Sequence, residues 1–403
     1  MEHFYRPTWV EISLDALEHN LQQFRQALPA DVRIMTVIKA DAYGHGALEV
    51  AREAARAGID YLGVAFLDEA LNLRQAGVKT PILVLGYTPP EGIELALQHS
   101  ITLNVYSNDL LDALENMDTK GGYVESDPLK IHIKVDTGMA RLGLHEKAEA
   151  VAFIERAMSI PNVEVEGLFT HYACADELDK KYTHKQHAKF QEVVDYFDAK
   201  GVTFPLLHAG NSATGIDVPE LTHNMVRLGI GMYGMYPSEE VNKERIALKP
   251  VLSLKTTIVN LQTLPPNSAV SYGSIYQTTD YERIATVPIG YADGYSRMLS
   301  TKAEALVHGE RRPVVGRICM DQCMLQVDGL ANVKLGDEVV LIGSQGDERI
   351  SAEDIAALLG TINYEVVCMM SHRVPRVYTR GGKEIKVINS LQVERLTAVE
   401  IVE

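Results

Sequence analysis

Residues 37–46 read Val37-Ile38-Lys39-Ala40-Asp41-Ala42-Tyr43-Gly44-His45-Gly46 and place a lysine between an apolar run and a glycine-rich turn. This arrangement predicts that Lys39 lies where a buried strand reaches the surface. Partial desolvation at such a position lowers the pKa of an amine, so that a neutral lysine can attack a carbonyl carbon. A lysine of this kind, taken alone, is more often a solvated strand end, and the stretch by itself leaves both interpretations open.

The composition favours a globular protein that acts on small molecules. The chain has 403 residues, 46% of them apolar, which is enough for a large core and is more natural for two domains than for one. With 38 basic and 54 acidic residues its formal charge is −16, which repels nucleic acid and anionic membranes. No apolar stretch has membrane-spanning length and residues 1–6 lack signal-peptide character, so we expect a cytoplasmic protein.

The cysteine pattern excludes two classes of protein. The spacing of the four cysteines fits neither a paired metal site nor a disulfide scaffold, so we expect reduced thiols and no metal centre. They are Cys174, Cys319, Cys323 and Cys368.

Short apolar runs alternate with helical patterns up to about residue 240, which is typical of βα units around a parallel sheet. Apolar residues from Leu14 to Leu28 mark one face of an opening helix, and 47–57 form another helical segment. We therefore predict an α/β protein in which residues 1–244 form a (β/α)8 TIM barrel. The eight strand candidates are 34–38, 61–66, 82–85, 101–106, 131–135, 165–169, 206–208 and 225–228.

The pattern changes beyond the charged stretch 239–249. Strands with turn signals follow, and one helix is predicted where Ser351 precedes Asp354 by three residues in a capping arrangement. We predict a mainly β C-terminal domain over residues 245–403. In the barrel, chemistry is expected at the C-terminal ends of the strands. The residues at or near those ends are Lys39, Lys134, His171, Asn211 and Arg227.

Separate motifs along nearly the whole chain resemble, in order, those of the alanine racemases, a family of pyridoxal phosphate (PLP) enzymes with a barrel fold. The Lys39 stretch is the first of them. The others are Lys134-Val135-Asp136-Thr137-Gly138-Met139-Ala140-Arg141, Gly167-Leu168-Phe169-Thr170-His171, His208-Ala209-Gly210-Asn211-Ser212, Met225-Val226-Arg227-Leu228-Gly229-Ile230, Val270-Ser271-Tyr272-Gly273, Ile289-Gly290-Tyr291-Ala292-Asp293-Gly294 and Gly316-Arg317-Ile318-Cys319-Met320-Asp321.

The resemblance implies a complete set of roles in the predicted barrel. Lys39 would carry PLP and act as the first catalytic base, and Arg227 would face the pyridine nitrogen. A protonated arginine leaves that nitrogen without a full positive charge, which weakens the electron sink and favours racemisation over transamination or decarboxylation. Ser212 and the backbone N–H groups of Gly229 and Ile230 would hold the cofactor's phosphate, which Tyr43 and Tyr364 would also contact. His171 and Asn211 are the remaining cofactor contacts implied. Arg141 would bind the substrate carboxylate, and Lys134 is either a carbamate that holds Arg141 or a plain strand lysine.

The resemblance also implies a homodimer with shared active sites. Tyr272 of the partner subunit would be the second base, because one lysine reaches only one face of a planar carbon. A phenol can serve if cations such as His171 and Arg141 stabilise its anion. Met320 would bind the substrate carboxylate through its backbone N–H. Tyr291 and Tyr364 would narrow the entrance to the active site. Asp176 and Arg297 would form a pair of charged residues at the outer end of this entrance.

The function implied is interconversion of L- and D-alanine, which would supply D-alanine for peptidoglycan. Three alternatives remain from the sequence. A decarboxylase of the same architecture would require an acidic residue where Arg227 stands. A non-catalytic PLP-carrying barrel protein would not need the residues after 244. A broader racemase acting on serine, lysine or arginine differs in pocket volume, which the sequence does not give.

Overall fold

The structure is a computed structural model that describes residues 4–116 and 128–391, and the chain divides into two compact units. The barrel unit consists of Ala16–Ala42 and Ala47–Lys249, and the C-terminal unit of Met1–Asp15, Tyr43–Gly46 and Pro250–Glu403. Strand β1 (Thr8–Ser13) joins the C-terminal unit because it pairs there with two later strands. The domain limits 1–244 and 245–403 stay predictions.

The barrel unit contains eight parallel strands that form a nearly closed barrel, as predicted. Their order around the sheet is β8-β7-β6-β5-β4-β3-β2-β9. All eight predicted strands are confirmed, with ends that differ by at most two residues. They are β2 (Arg33–Val37), β3 (Tyr61–Val64), β4 (Ile82–Val84), β5 (Thr102–Val105), β6 (Leu129–Lys134), β7 (Val163–Phe169), β8 (Leu206–His208) and β9 (Met225–Leu228).

The helices of this region alternate with the strands. The opening helix is confirmed: its apolar stripe, including Leu17, Leu21 and Phe24, is buried. Among the described residues, no helix of the chain is both long and apolar enough to cross a membrane. The helices are α1 (Leu14–Ala27), α2 (Lys39–Tyr43), α3 (Ala47–Arg56), α4 (Leu67–Gln75), α5 (Ile93–Gln98), α6 (Asn108–Glu115), α7 (Lys147–Met158), α8 (Lys181–Asp198) and α9 (Ser212–Asp217), with 3₁₀ turns at Pro90–Gly92, Pro219–Leu221 and Ile230–Tyr233.

The C-terminal unit is mainly β, as predicted. Its large sheet has the order β11-β14-β17-β16-β15-β18-β10-β1-β20-β21, with β19 on β18, and β12 pairs with β13. These strands are β10 (Leu252–Thr257), β11 (Asn260–Leu264), β12 (Ala269–Val270), β13 (Tyr276–Gln277), β14 (Glu282–Val287), β15 (Glu304–Val307), β16 (Glu310–Val315), β17 (Cys323–Gln326), β18 (Glu338–Gln345), β19 (Glu348–Ile350), β20 (Arg376–Arg380) and β21 (Lys383–Ile388).

Helices α10 (Ala352–Leu359) and α11 (Asn363–Cys368) interrupt this sheet, with 3₁₀ turns at Tyr272–Ser274, Tyr291–Asp293 and Arg297–Leu299. The predicted cap is confirmed. Ser351 Oγ accepts from the Asp354 N–H at 3.0 Å, and the Ser351 N–H donates to the Asp354 carboxylate at 2.8 Å. Two backbone donors at the start of α10 are thereby satisfied.

Candidate active site

Lys39 begins a turn with an unusual backbone conformation. It follows β2, and the four residues from Ala40 to Tyr43 have φ between 52° and 54°, in the left-handed region. Each such residue other than glycine costs roughly 1–2 kcal/mol. The surroundings hold the turn, since the Ala40 N–H donates to Glu69 Oε1 at 2.7 Å. Strain of this kind concentrates at functional sites, so the turn marks Lys39 independently of its sequence motif.

Tyr43 and the glycines that follow it belong to the C-terminal unit. A Cβ on Gly44 would lie 2.3 Å from the Val367 carbonyl oxygen, and one on Gly46 would lie 1.8 Å from the Tyr378 hydroxyl. Both positions therefore require glycine. Tyr43 is buried, which raises the pKa of its phenol, and its ring centroid lies 6.2 Å from that of Tyr364. The structure thus brings together the two tyrosines predicted to contact a phosphate.

Arg227 lies on β9 and is 4% exposed. Its two terminal nitrogens donate to five acceptors: Nδ1 of His208 at 2.9 Å, Nδ1 of His171 at 2.9 Å, and the carbonyls of Thr170, His208 and Ala209 at 2.8–3.0 Å. Its Nε–H has no hydrogen-bond partner within 4–116 and 128–391. Since arginine has only donors, this N–H remains for an acceptor outside the protein.

A group of cations surrounds His171. Burial lowers the pKa of its imidazole well below the usual range, and Arg227, Lys134, Arg141 and Lys39 lower it further, in that order. These electrostatic influences place five sequence-predicted residues in one region of the barrel unit. His171 is therefore neutral, and the expectation that it is a cation that stabilises the Tyr272 anion is wrong, because burial and the neighbouring cations disfavour its charged form. Because its Nδ1 accepts from Arg227, its proton is on Nε2.

Lys134 ends β6 and is almost fully buried. Its ammonium nitrogen lies 4.8 Å from the centroid of the Phe169 ring. Burial, with Arg227 and Arg141 nearby, lowers the pKa of Lys134 to about 7. Nearly half of these side chains are therefore neutral at pH 7, which is unusual for a lysine and suits a nucleophilic amine.

Small residues surround the start of α9. Ser212 Oγ accepts from the Gly229 N–H at 3.0 Å and from the Gly231 N–H at 3.2 Å. A Cβ on Gly231 would lie 2.6 Å from Phe24 Cζ, so this position requires glycine. Ile230 begins the next 3₁₀ turn, and Asn211 caps α9 by accepting from the Thr214 N–H at 3.0 Å. The predicted phosphate-binding residues of the barrel unit are therefore neighbours.

Three motifs converge within the C-terminal unit. Ser271 Oγ donates to the Arg317 carbonyl at 2.6 Å, and the Tyr291 N–H donates to the Cys319 carbonyl at 3.0 Å. Ser271 has φ 66°, another strained position. These contacts gather the motif residues that are exposed on this unit: Tyr272 is 71% exposed, Met320 52% and Tyr291 41%.

Three predicted residues make no side-chain hydrogen bond or ion pair within 4–116 and 128–391. Arg141 is exposed, and Asp176 and Arg297 lie in different units, so the proposed entrance pair stays a prediction. The motifs did not indicate His132, Glu166 or the side chain of His208, which form a buried polar chain to Arg227. Two signals could have found it: His132 stands two residues before Lys134, hence on the same face of β6, and His208 ends a strand.

Comparison with known proteins identifies the family. Residues 12–237 match the protein-family model "Alanine racemase, N-terminal domain". Residues 251–378 match the family model "Alanine racemase, C-terminal domain". An alanine racemase from Methanococcus maripaludis is 47% identical over 372 residues, covering 92% of this chain and 98% of that protein.

Solved structures agree with these matches. Alanine racemase from Bacillus anthracis with bound L-Ala-P superposes with a TM-score of 0.90 at 42% identity, covering 96% of this chain and 99% of that one. A histidine racemase from Leuconostoc mesenteroides superposes with a TM-score of 0.86 at 32% identity, covering 94% and 100%. By sequence and by structure, over nearly its whole length, the chain belongs to the alanine racemase family of isomerases.

Proposed function

We propose that this protein racemises alanine with PLP as its cofactor, in a cytoplasmic homodimer with shared active sites. The observation that carries the proposal is Arg227: a buried arginine held by five hydrogen bonds, whose remaining Nε–H suits an aromatic nitrogen acceptor. When bound, PLP would supply the electron sink that allows the Cα proton of an amino acid to leave. Its product, D-alanine, would serve peptidoglycan synthesis.

The residues of the barrel unit fit this cofactor. Lys39, which directly precedes the strained residues Ala40 to Tyr43, would provide the amine for covalent attachment. Ser212, Gly229 and Ile230 would hold the phosphate: Ser212 Oγ accepts from the Gly229 N–H and can still donate its own O–H. His171, with its proton on Nε2, would donate a hydrogen bond to the phenol oxygen of Tyr272 of the partner subunit. Asn211 shapes the loop between β8 and α9.

The residues of the C-terminal unit supply the other half of the proposal. Tyr43 and Tyr364 lie together and would bind the phosphate from this side. Tyr272, exposed on a strained turn, would act as the second base in the partner's site. Its exposure is compatible with this role, because a base that acts in another subunit's site must be accessible on the surface of its own chain. Met320 and Tyr291, exposed nearby, would contact the substrate from the same partner.

Two bases explain inversion at the substrate Cα. A proton removed by Lys39 from one face must be returned to the opposite face, where Tyr272 of the partner subunit would donate it; the reverse direction exchanges the two roles. Arg141 would pair with the substrate carboxylate, since its planar guanidinium matches a carboxylate in two hydrogen bonds. Asp176 and Arg297 would act farther out, at the entrance.

Substrate choice is the part of the proposal with a specific rival. The structural likeness to a histidine racemase supports weighing a broader amino-acid racemase beside an alanine enzyme. We favour alanine because a methyl side chain would fit between Tyr272 and Tyr364, whereas bulky side chains would meet those rings. A non-catalytic PLP-carrying barrel protein is disfavoured by the strained, exposed turn of Tyr272, which such a protein would not need.

Initial racemisation rates test this directly. Purified protein loaded with PLP should show its highest kcat/KM on L- and D-alanine, lower values on serine, and little activity on lysine, arginine or histidine. Lys39→Ala is the negative control. Equal or higher kcat/KM on a bulky amino acid would identify a broad-specificity racemase, and PLP binding without racemisation of any of the five would support the non-catalytic alternative.

A further inference from the structure

A chain of buried polar side chains crosses the barrel interior and ends at Arg227. Glu166 Oε2 lies 3.1 Å from His132 Nε2, and His132 Nδ1 lies 2.8 Å from His208 Nε2. His208 Nδ1 lies 2.9 Å from a terminal nitrogen of Arg227. The two imidazoles are completely buried, and Glu166 and Arg227 nearly so. None of the three residues before Arg227 has a role in the proposed reaction.

The donors and acceptors of these four side chains permit hydrogen bonds in only one direction, from Arg227 to Glu166. Arginine has no acceptor, so Arg227 donates to His208 Nδ1, and the proton of a neutral His208 is therefore on Nε2. That N–H donates to His132 Nδ1, which places the proton of His132 on Nε2, and this N–H donates to Glu166. Burial lowers the pKa of both imidazoles, well below the usual range at His208. Both are neutral near pH 7.

Arg227 has no carboxylate among its five acceptors, which are two imidazole nitrogens and three backbone carbonyls. A buried cation needs compensation for its lost hydration. Glu166 is the carboxylate at the far end of the chain. Burial raises the pKa of Glu166, but hydrogen bonds from His132, Lys130 and Tyr61 outweigh burial and lower it to about 2, so it is ionised near pH 7.

We propose that Glu166, His132 and His208 are positioning residues for Arg227: the Glu166 carboxylate acts on the guanidinium through two oriented imidazoles and thereby weakens the Arg227 Nε–H as a donor. Hydrogen bonds in such a chain polarise one another. The carboxylate draws positive charge towards the His132 and His208 N–H groups, which makes His208 Nδ1 a stronger acceptor. Electron density in the guanidinium rises, and the Nε–H becomes less acidic.

The protonation pattern can be tested in the full chain without PLP. With ¹⁵N-labelled histidine, two-bond NMR correlations near pH 7 should show His132 and His208 neutral and protonated on Nε2, with assignments from single histidine substitutions. In Glu166→Gln the His208 Nδ1 resonance should shift. Tyr61→Phe is the matched control: it removes another hydrogen bond to Glu166 but leaves the chain intact, so it should preserve both tautomers. A protonated Nδ1 on His208, or equal shifts in both variants, would refute the proposal.

A second measurement uses the loaded enzyme and rests on the proposed function. Because the Arg227 Nε–H becomes a stronger donor in Glu166→Gln, the ratio of transamination to racemisation should rise severalfold, whereas Tyr61→Phe should keep the wild-type ratio. An unchanged ratio in Glu166→Gln would show that the carboxylate does not influence Arg227. If the wild-type protein neither binds PLP nor racemises alanine, the proposed function fails, while the NMR result on the cofactor-free chain still decides the direction of the hydrogen bonds.

Discussion

The two units present their candidate residues in opposite ways. In the barrel unit, Arg227 is buried and its terminal nitrogens are held by five hydrogen bonds, so its geometry is complete within one chain. In the C-terminal unit, Tyr272 and Met320 are exposed on turns. A site built on rigid, hydrogen-bonded elements is preorganised, whereas exposed residues acquire their environment from whatever covers them. The difference supports a barrel site that the partner's C-terminal unit completes.

The largest effect is expected at Lys39, because it would be both the attachment point of the cofactor and a base. Lys39→Ala should lower racemisation by roughly 10⁴-fold or more, beyond what loss of one base alone explains. Borohydride should fix PLP to Lys39 in the wild-type protein, as peptide mass spectrometry would show. Lys79, an exposed lysine of the same unit, provides the control: Lys79→Ala should keep activity and labelling. PLP fixed to another lysine would contradict the assignment.

The contrast between the units is tested most sharply by mixing variants. Lys39→Ala and Tyr272→Ala chains should each be inactive, but a mixed dimer would hold one site missing both bases and one site missing neither. Refolding an equal mixture should therefore recover up to about a quarter of wild-type activity, since random pairing makes about half the dimers mixed, each with one intact site of two.

The controls are each variant refolded alone, and two different affinity tags that allow mixed dimers to be isolated. Isolated mixed dimers that stay inactive would mean that both bases come from the same chain. The proposal that Tyr272 acts in the active site of the partner subunit would then be wrong.

The sequence predicted the barrel well because buried parallel strands are short apolar runs whose ends carry polar residues. It missed strand β1 because residues 8–13 pair with residues at least 240 positions away, which no local pattern reveals. For the candidate site, motifs predicted Arg227 and His171, which are hydrogen-bonded to each other in the structure. They did not reveal the hydrogen bonds that orient Arg227, since the side chains of His132 and Glu166 meet only when neighbouring strands align.

A smaller effect is expected from reversing the charge at Arg227. Arg227→Glu should slow racemisation by about 10-fold or more and increase transamination, because a carboxyl group would promote protonation of the pyridine nitrogen. It also removes the Arg227 hydrogen bonds to the Thr170 and Ala209 carbonyls, at roughly 1–3 kcal/mol each, whereas the His208 carbonyl keeps the Thr170 N–H as a donor. Arg227→Lys is the matched control for charge: it should also lose stability, but it should keep the low ratio of transamination to racemisation. If both variants partition alike, the charge of Arg227 does not set the reaction outcome.

The smallest effect is a dependence of the free energy of unfolding on pH, which the titration of Lys134 should cause. The folded-state pKa of about 7 lies below the ordinary lysine value, so the unfolded chain binds more protons between pH 7 and about 10. The free energy of unfolding should therefore rise with pH across this window, by at most about 1.4 kcal/mol per pH unit. Denaturant titrations in CO₂-free buffer would measure the slope, and Lys134→Met should flatten it.

Bicarbonate extends this prediction to the proposed carbamate. A neutral Lys134 amine can add CO₂ and release a proton to solvent, and the resulting carbamate would be an anion that attracts Arg141 and Arg227. Equilibration with ¹³C-bicarbonate at pH 8 should give a carbamate signal in ¹³C NMR that is absent from Lys134→Met, and should raise the free energy of unfolding of the wild-type protein alone. Because protonation removes the nucleophile, the signal should weaken below pH 7. If the wild-type protein gives no carbamate signal at pH 8, Lys134 is a plain strand lysine. The Arg141 side chain would then have to be held in position by the substrate or the partner subunit.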